Sequence, residues 1–378
     1  MAWRKSKSKG SEPSNASGPA PAGTGSGWLA AEENRWGVPV ADVSPFTLGI
    51  VSTSSDPQSA TNAVSFTNDD GLGFVGLAPL TPRRTPLALG YRVDRVLADG
   101  PVFIPRQMEH KWAVFHHDRS LLFVRSWTRR VHLVVPTVVE QGQVRLTEAV
   151  GAVVGDDEEH AFTEAAIDFI LRSHVLGEVV PAPLPSGIGD DLTTLPGAAF
   201  SLYGDKALLA TTHRIPVEPS SGILRSHPLL HIAVARNDLA AAQHQLDRGV
   251  PIDLVAQDGL TALQWALPAP GVEALAWLVA RGLPVDARSL EGATALMNAV
   301  QSGDEEKIGW LLDAGADPNA SDDRGFTALH RAAELGRTAA ARLLLERGAD
   351  RGVAAFGHTA LSLAHDRGHA ELEGLLQA

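Results

Sequence analysis

The sequence predicts a multidomain chain: an N-terminal α+β module, made of an antiparallel β meander plus one amphipathic helix, followed by a C-terminal all-α solenoid of helical repeats. Three observations carry this expectation. Short apolar runs punctuated by Pro, Gly, Asn and Asp fill the stretch from Trp28 to about His213, which is the signature of strands and turns. A helical apolar period occurs inside that stretch, and a 33-residue period begins near Ser226. At 378 residues the chain is too long for one ordinary core, so two or three domains are expected.

Composition excludes several classes. Hydrophobic residues at 44% and charged residues at 20% are those of a folded globular chain. A formal net charge of -12 argues against a general nucleic-acid or anionic-membrane binder, because counterion release needs a basic face. With no cysteine there is no disulfide framework, thiol nucleophile or thiolate zinc site. The basic start MAWRKSKSKG is followed by no apolar signal core, and no run is long enough for a membrane span. These features predict a cytoplasmic protein, and the excess of Arg, Ala, Gly and Pro suggests a bacterial source.

Residues 1–27 are Ser, Gly, Pro, Ala and Lys with little to bury, and read as a disordered tail carrying Lys5, Lys7 and Lys9. Residues 28–213 read as the α+β domain. Within it KWAVFHH, SLLFVRSW, RVHLVVPTVV and QVRLTEAVGAVV are β-rich, and they are separated by Asp118-Arg119, Thr128-Arg129 and Gln141-Gly142. Asp156 and Asp157 are N-cap candidates for a helix in which Phe162, Ala166, Phe169 and Ile170 recur at helical spacing. AAFSLYG and ALLATTH suggest a further strand pair. Residues 214–225 read as a linker.

From 226 to 378 the chain repeats, in units of about 226–257, 258–290, 291–323, 324–356 and 357–378. Gly249, Gly282, Gly315 and Gly348 are 33 residues apart, as are Thr261, Thr294 and Thr327, with Thr359 one residue short. Gly259, Gly292, Gly325 and Gly357 free the backbone for a turn, and the Thr two residues later can cap the first helix. Leu263, Leu296, Leu329 and Leu361, with Ala266, Ala299, Ala332 and Ala364, give that helix a small, flat stacking face. Trp277-Leu278, Trp310-Leu311-Leu312 and Leu343-Leu344-Leu345 form the core stripe of the second helix, and the 33-spaced glycines end it. One such pair cannot bury its own apolar face, so several must stack. The segments DGLTALQWAL, EGATALMNAV, RGFTALHRAA and GHTALSLAH resemble the ankyrin family, whose signature is T-P-L-H-x-A at this period. Ala262, Ala295, Ala328 and Ala360 replace the family's Pro. Pro268 and Pro270 should shorten the first helix of the second unit.

The resemblance implies binding of partners along the turn tips and the outward side of the inner helices. By position these residues are Trp265, Asn298, Arg331 and Leu363, with Gln301, Glu334 and Asp366 one turn on. Asp258, Glu291, Asp322, Asp323 and Arg324 stand at the tips. Trp265 beside Arg331 is a pair enriched in binding hot spots, although Trp265 also suits filling space beside the irregular second unit. Acidic tips favour a protein partner with a basic surface. His231 and His330 occupy the signature histidine position and are assigned structural roles.

Chemistry elsewhere is thin. GLGFVG, Gly71 to Gly76, matches a dinucleotide fingerprint, but Pro79, Pro82 and Pro86 forbid the helix it needs. His110, His116, His117, His132 and Asp118 cluster in one hairpin region. His116 and His117 point to opposite faces of a strand, so metal binding is not expected, and no cofactor is implied. His160, Glu164 and Asp168 share one helix face, read as solvated. The segment FVRSWT resembles an F-x-R-S-W-T hairpin of uncharacterised bacterial proteins. There Arg125 could hold an anion with Trp127 stacked beside it, or could pair with an acid next to a buried tryptophan.

The expected function is therefore binding of a macromolecular partner through the ankyrin array, in a bacterial regulatory or scaffold role, without enzymatic activity. Two alternatives stand beside it. One is an enzyme in residues 28–213 with Arg125, His117 and Glu159 as suspects and ankyrins for targeting. The other is a toxin-neutralising immunity protein with an acidic face.

Overall fold

The computed structural model describes residues 27–52, 56–188, 191–216 and 219–378. The expected tail lies outside the described residues, apart from Gly27. Strands β1 (Trp28–Leu29) and β2 (Val40–Asp42) lead through the short helices α1 (Ser44–Thr47) and α2 (Pro57–Val64) to six further strands. These are β3 (Arg84–Arg92), β4 (Gly100–Phe103), β5 (Trp112–His117), β6 (Ser120–Arg125), β7 (Arg130–Glu140) and β8 (Gln143–Gly151). They form one antiparallel sheet in the order β3-β8-β7-β6-β5-β4. The four segments of the expected meander are β5 to β8. Asp118 (φ 46°) and Arg119 (φ 59°) close the first hairpin, and Gln141 (φ 50°) and Gly142 (φ 75°) close the last. Two successive left-handed residues give a turn whose twist matches that of the strands.

Both faces of this sheet are covered. On one, Trp112, Val114, Leu121, Phe123, Leu133 and Leu146 pack with Phe162, Ile167 and Ile170 of α3 (His160–Ile170). On the other, Phe115, Leu122 and Val124 pack under Phe66 and Phe74. Strand β5 is consequently buried along its whole length, and each fully buried Leu or Phe stabilises the fold by about 1.5–3 kcal/mol.

Three expectations require correction. The face bearing His160, Glu164 and Asp168 is not simply solvated, for it is bonded to β3 although His160 stays exposed: Glu164 accepts from the Ala88 N–H (2.7 Å), Asp168 from the Tyr91 hydroxyl (2.7 Å), and His160 contacts Thr85 Oγ1 (3.0 Å). The helix begins after Glu159, not at Asp156 or Asp157, and the Glu158 carboxylate instead ties down the turn by accepting from the N–H groups of Val153 and Val154. AAFSLYG is helix α4 (Leu195–Tyr203), not a strand, because Leu195, Ala199 and Tyr203 bury one face at helical spacing and Pro196 sits in the first turn, where it is tolerated. Strands β9 (Pro181–Pro183) and β10 (Leu209–Thr211) pair in parallel and join β1 and β2 in a second sheet, ordered β1-β2-β10-β9.

The C-terminal region is a row of helix pairs: α5 (Leu229–Ala235) with α6 (Leu239–Asp247), α7 (Ala262–Trp265) with α8 (Glu273–Ala280), α9 (Ala295–Ser302) with α10 (Glu305–Asp313), and α11 (Ala328–Leu335) with α12 (Thr338–Glu346). A two-stranded hairpin, β11 (Ala354–Ala355) and β12 (His358–Thr359), precedes the last pair, α13 (Ala360–Asp366) and α14 (Ala370–Gln377). Leu263, Leu296, Leu329 and their alanine partners form the common core. Helix α7 has four residues where α9 and α11 have eight, as Pro268 and Pro270 require.

Thr261 caps α7 by accepting from the Gln264 N–H, and Thr359 caps α13 from Ser362. Thr294 does not cap α9, and its buried hydroxyl lacks a partner. The residue that reciprocates in the other units is Gln264, His330 or Ser362, whereas here it is Met297, which has no polar group to offer.

The first repeat grows directly out of the large sheet. The segment expected as a linker adds Ile223 beside Arg92 and buries Leu224 fully. His227 then donates its N–H to the Pro101 carbonyl (2.6 Å), and Leu229 donates to that of Asp99 (2.8 Å), along the free edge of β4. Gly100 has φ 141°, and a Cβ there would overlap the His227 carbonyl oxygen. Glycine is what allows the two backbones to meet.

Candidate interaction surface

The tips of the repeats are built by left-handed glycines: Gly259 (φ 82°), Gly292 (77°), Gly325 (81°) and Gly357 (82°). Beneath them the outward residues of the inner helices form a linked polar ladder. Trp265 is half-buried; its Nε1 donates to Asp258 (3.1 Å), and its ring packs on His227 (5.3 Å) and His231 (6.0 Å) of the first repeat. Asn298 accepts from Gln264 Nε2 (3.2 Å). Arg331 reaches Asp322 (3.5 Å) and Glu334 (3.6 Å), and Glu334 also pairs with Arg367 (3.0 Å). Gln301 is exposed, and its carbonyl accepts from Arg337 (3.1 Å). Asp366 is exposed beside His358 (3.8 Å).

The tip residues divide. Asp322 is only 4% exposed, so it serves its own tip, accepting from the Arg324 (3.0 Å) and Phe326 (2.9 Å) N–H groups and pairing with Arg324 (3.0 Å). Burial raises its pKa, but these donors together hold the carboxyl below its usual range. Arg324 is exposed and sits over the Phe326 ring (5.3 Å), with Arg331 near the same ring (5.9 Å). Leu363, expected to face outward, is instead buried in the stack.

His330 donates from Nε2 to the His358 carbonyl (3.2 Å) and accepts at Nδ1 from Thr327, which ties two tips together. Burial pushes His231 down to about 3, with His227 adding to the effect, so its ring is a neutral packing element.

Phe356 is a residue that sequence reasoning missed. It is 75% exposed, lies 6.4 Å from Phe326 and has φ 51°. A signal existed in Thr359, which arrives one residue early. In earlier units Val255 pairs with Thr261 and Ser321 with Thr327, but here Ala354 pairs with Thr359. The shorter tip closes as a two-residue turn and pushes Phe356 outward.

In the N-terminal part the candidate residues lie apart. Trp112 pairs with Arg125 at one end of the β5–β6 hairpin and His117 with Ser120 at the other, about 15 Å away at roughly 3.3 Å per residue. The Arg125 guanidinium lies over Trp112 (4.8 Å) and donates to the carbonyls of Leu202 (2.8 Å) and Ser201 (2.9 Å), so it closes the end of α4. Trp127 donates to the Met108 carbonyl (2.9 Å), and the Lys111 ammonium covers its ring (4.2 Å). Burial pushes Lys111 down to about 8 and Arg125 to about 10. His117 donates from Nε2 to the Asp70 carbonyl (2.7 Å). Glu159 accepts from the Ser186 hydroxyl (2.8 Å). Gly71 opens a single 3-10 turn, Leu72–Phe74, without the helix of a dinucleotide site. Among the described residues no His, Asp and Glu group is placed to hold a metal ion, and no helix is long and apolar enough to cross a membrane.

Pairs of inner and outer helices, each joined to the next pair by a glycine-built tip, define a helical-repeat solenoid. A family model for ankyrin repeats in three copies matches residues 230–322 and 310–377, so the C-terminal region is an ankyrin-repeat array. No curated protein matches the chain.

Proposed function

We propose that this protein holds a protein partner against the tips and inner helices of its ankyrin array, with residues 28–213 acting as a fixed cap on the first repeat. Ankyrin repeats generally serve protein–protein interaction. The observation that carries the reading is the division of the array. Its first repeat is occupied by the β4 edge, whereas Gln301, Arg324, Phe356 and Asp366 stand exposed on the tips and inner helices of the later units.

Residues 226–378 contain 20 Asp and Glu against 12 Lys and Arg, which supports a partner with a basic surface. At the tips that charge is partly neutralised by Arg288, Arg324 and Arg367, so we place the partner's basic groups opposite Asp258, Glu291 and Asp366. The separation of Arg125 from His117, at opposite ends of the β5–β6 hairpin, supports binding over catalysis, since these two could not act on one substrate atom. A regulatory or scaffold role fits such a protein.

The test uses the full chain as bait in lysate from its own source. Gln301→Arg combined with Asp366→Arg should abolish retention of one specific protein. Arg342→Glu, on an exposed position of outer helix α12, should leave it unchanged. Equal retention by all three baits contradicts the proposed surface.

A further inference from the structure

A cavity of about 440 Å³ lies on the outer face of the large sheet. This is within the size range of small-molecule sites. Its floor is a row of register partners, Leu122 on β6, Val134 on β7 and Val150 on β8. Val75 and Leu77, from the loop after the 3-10 turn, form the roof and remain exposed themselves. Exposed apolar side chains beside a concave apolar floor are the kind of lining that small-molecule sites present.

One end of the cavity is polar, and its chemistry is specific. His117 and Ser120 stand directly opposite each other across the β5–β6 hairpin, with Cβ atoms about 5 Å apart in such pairs. Asp118 sits on the turn between them. Because the His117 Nε2–H is given to the Asp70 carbonyl, Nδ1 is left as an acceptor. Burial favours the neutral ring. Asp118 Oδ1 meets Arg248 (3.4 Å), but that arginine is closer to Asp99 (3.0 Å), so Asp118 Oδ2 is the oxygen a ligand would meet.

We propose that this cavity binds a small molecule with a compact apolar body and a primary ammonium group. An imidazole nitrogen, a carboxylate and a hydroxyl present three acceptors with net negative charge, and an ammonium carries three donors and one positive charge. A carboxylate ligand would face Asp118, and an alcohol would satisfy one acceptor of three. The inference is independent of the partner surface on the repeats.

The experiment is isothermal titration calorimetry of the full chain with 2-phenylethylamine, with 2-phenylethanol and 3-phenylpropanoate as head-group controls. The amine should bind about two- to fivefold more tightly than either control, the difference expected for a charge pair whose carboxylate is 68% exposed. Asp118→Asn should remove that preference; asparagine tolerates the left-handed turn, so the fold is retained. Val134→Phe, which fills the floor, should weaken all three ligands, with circular dichroism checking that it folds. Absence of binding by the amine, equal binding of amine and alcohol, or an unchanged preference in Asp118→Asn would overturn the proposal.

Discussion

Arg248 ion-pairs with Asp99 at 3.0 Å, joining the end of α6 to the residue before β4. The other oxygen of Asp99 lies 3.3 Å from His116 Nδ1. Burial raises the Asp99 pKa, but His116 and Arg248 together hold the carboxylate below its usual range. One half-buried acid thus links the sheet to the first repeat. Arg236, which reaches Asp70 (3.2 Å) and the Asn68 carbonyl (2.8 Å), makes a second link nearby.

Asp99→Ala should therefore cost about 1–3 kcal/mol, because it takes the carboxylate away from the buried His116 imidazole. Arg248→Ala should cost under about 1 kcal/mol, since that side chain is half in solvent. Urea unfolding of both variants checks the order. Equal, negligible effects would show that the junction does not rest on Asp99.

Gly100→Ala tests the backbone contact at the same junction. The substitution meets both an unfavourable φ and the His227 carbonyl, and should cost about 2–4 kcal/mol. Gly249→Ala, left-handed but with open space around it, should cost about 1 kcal/mol. Thermal melts that rank Gly249→Ala as the worse of the two would refute the docking geometry.

The threonine caps give an opposite pair. Thr261→Val removes a working capping box and should destabilise by about 1 kcal/mol. Thr294→Val removes a buried hydroxyl with no partner and should be neutral or stabilising. A loss of stability in both would mean that Thr294 has a role the geometry does not supply.

Acid should weaken the fold through its buried histidines. Burial lowers His231 and His174 to about 3 and His132 to about 4. Above about pH 7.5 neither folded nor unfolded chain protonates these rings appreciably, and stability is level in this respect. As pH falls below 6.5 the unfolded chain takes up protons that the folded chain refuses, so stability is lost progressively toward pH 3. The slope is at most about 1.4 kcal/mol per pH unit for each histidine. The urea midpoint should fall between pH 6.5 and 5, and His174→Phe should lessen that fall. A midpoint independent of pH over this range would count against burial of neutral rings.

Local features were legible in the residues. The 33-residue glycine spacing and the pairs Asp118-Arg119 and Gln141-Gly142 placed the repeats and the hairpin turns, because each encodes a backbone requirement within a few positions. What escaped was long-range. Asp168 looked solvated until Tyr91, 77 residues away, was seen to donate to it. AAFSLYG has alternating character and helical character at once, and its contacts with the second sheet decide for the helix. Of the proposed surface, the ladder positions followed from the period, whereas the inward turn of Asp322 depended on its own tip's N–H groups. The docking of the first repeat on β4 needs Gly100 and His227 together, and neither residue announces the other.

The most direct test of the partner surface is photo-crosslinking in cells of the native source. The full chain would carry a photoreactive phenylalanine at position 301, on α9, or at position 342, on the outer helix α12. The account predicts one discrete protein adduct from position 301 and none from position 342. Adducts of equal yield from both positions, or from 342 alone, would contradict it.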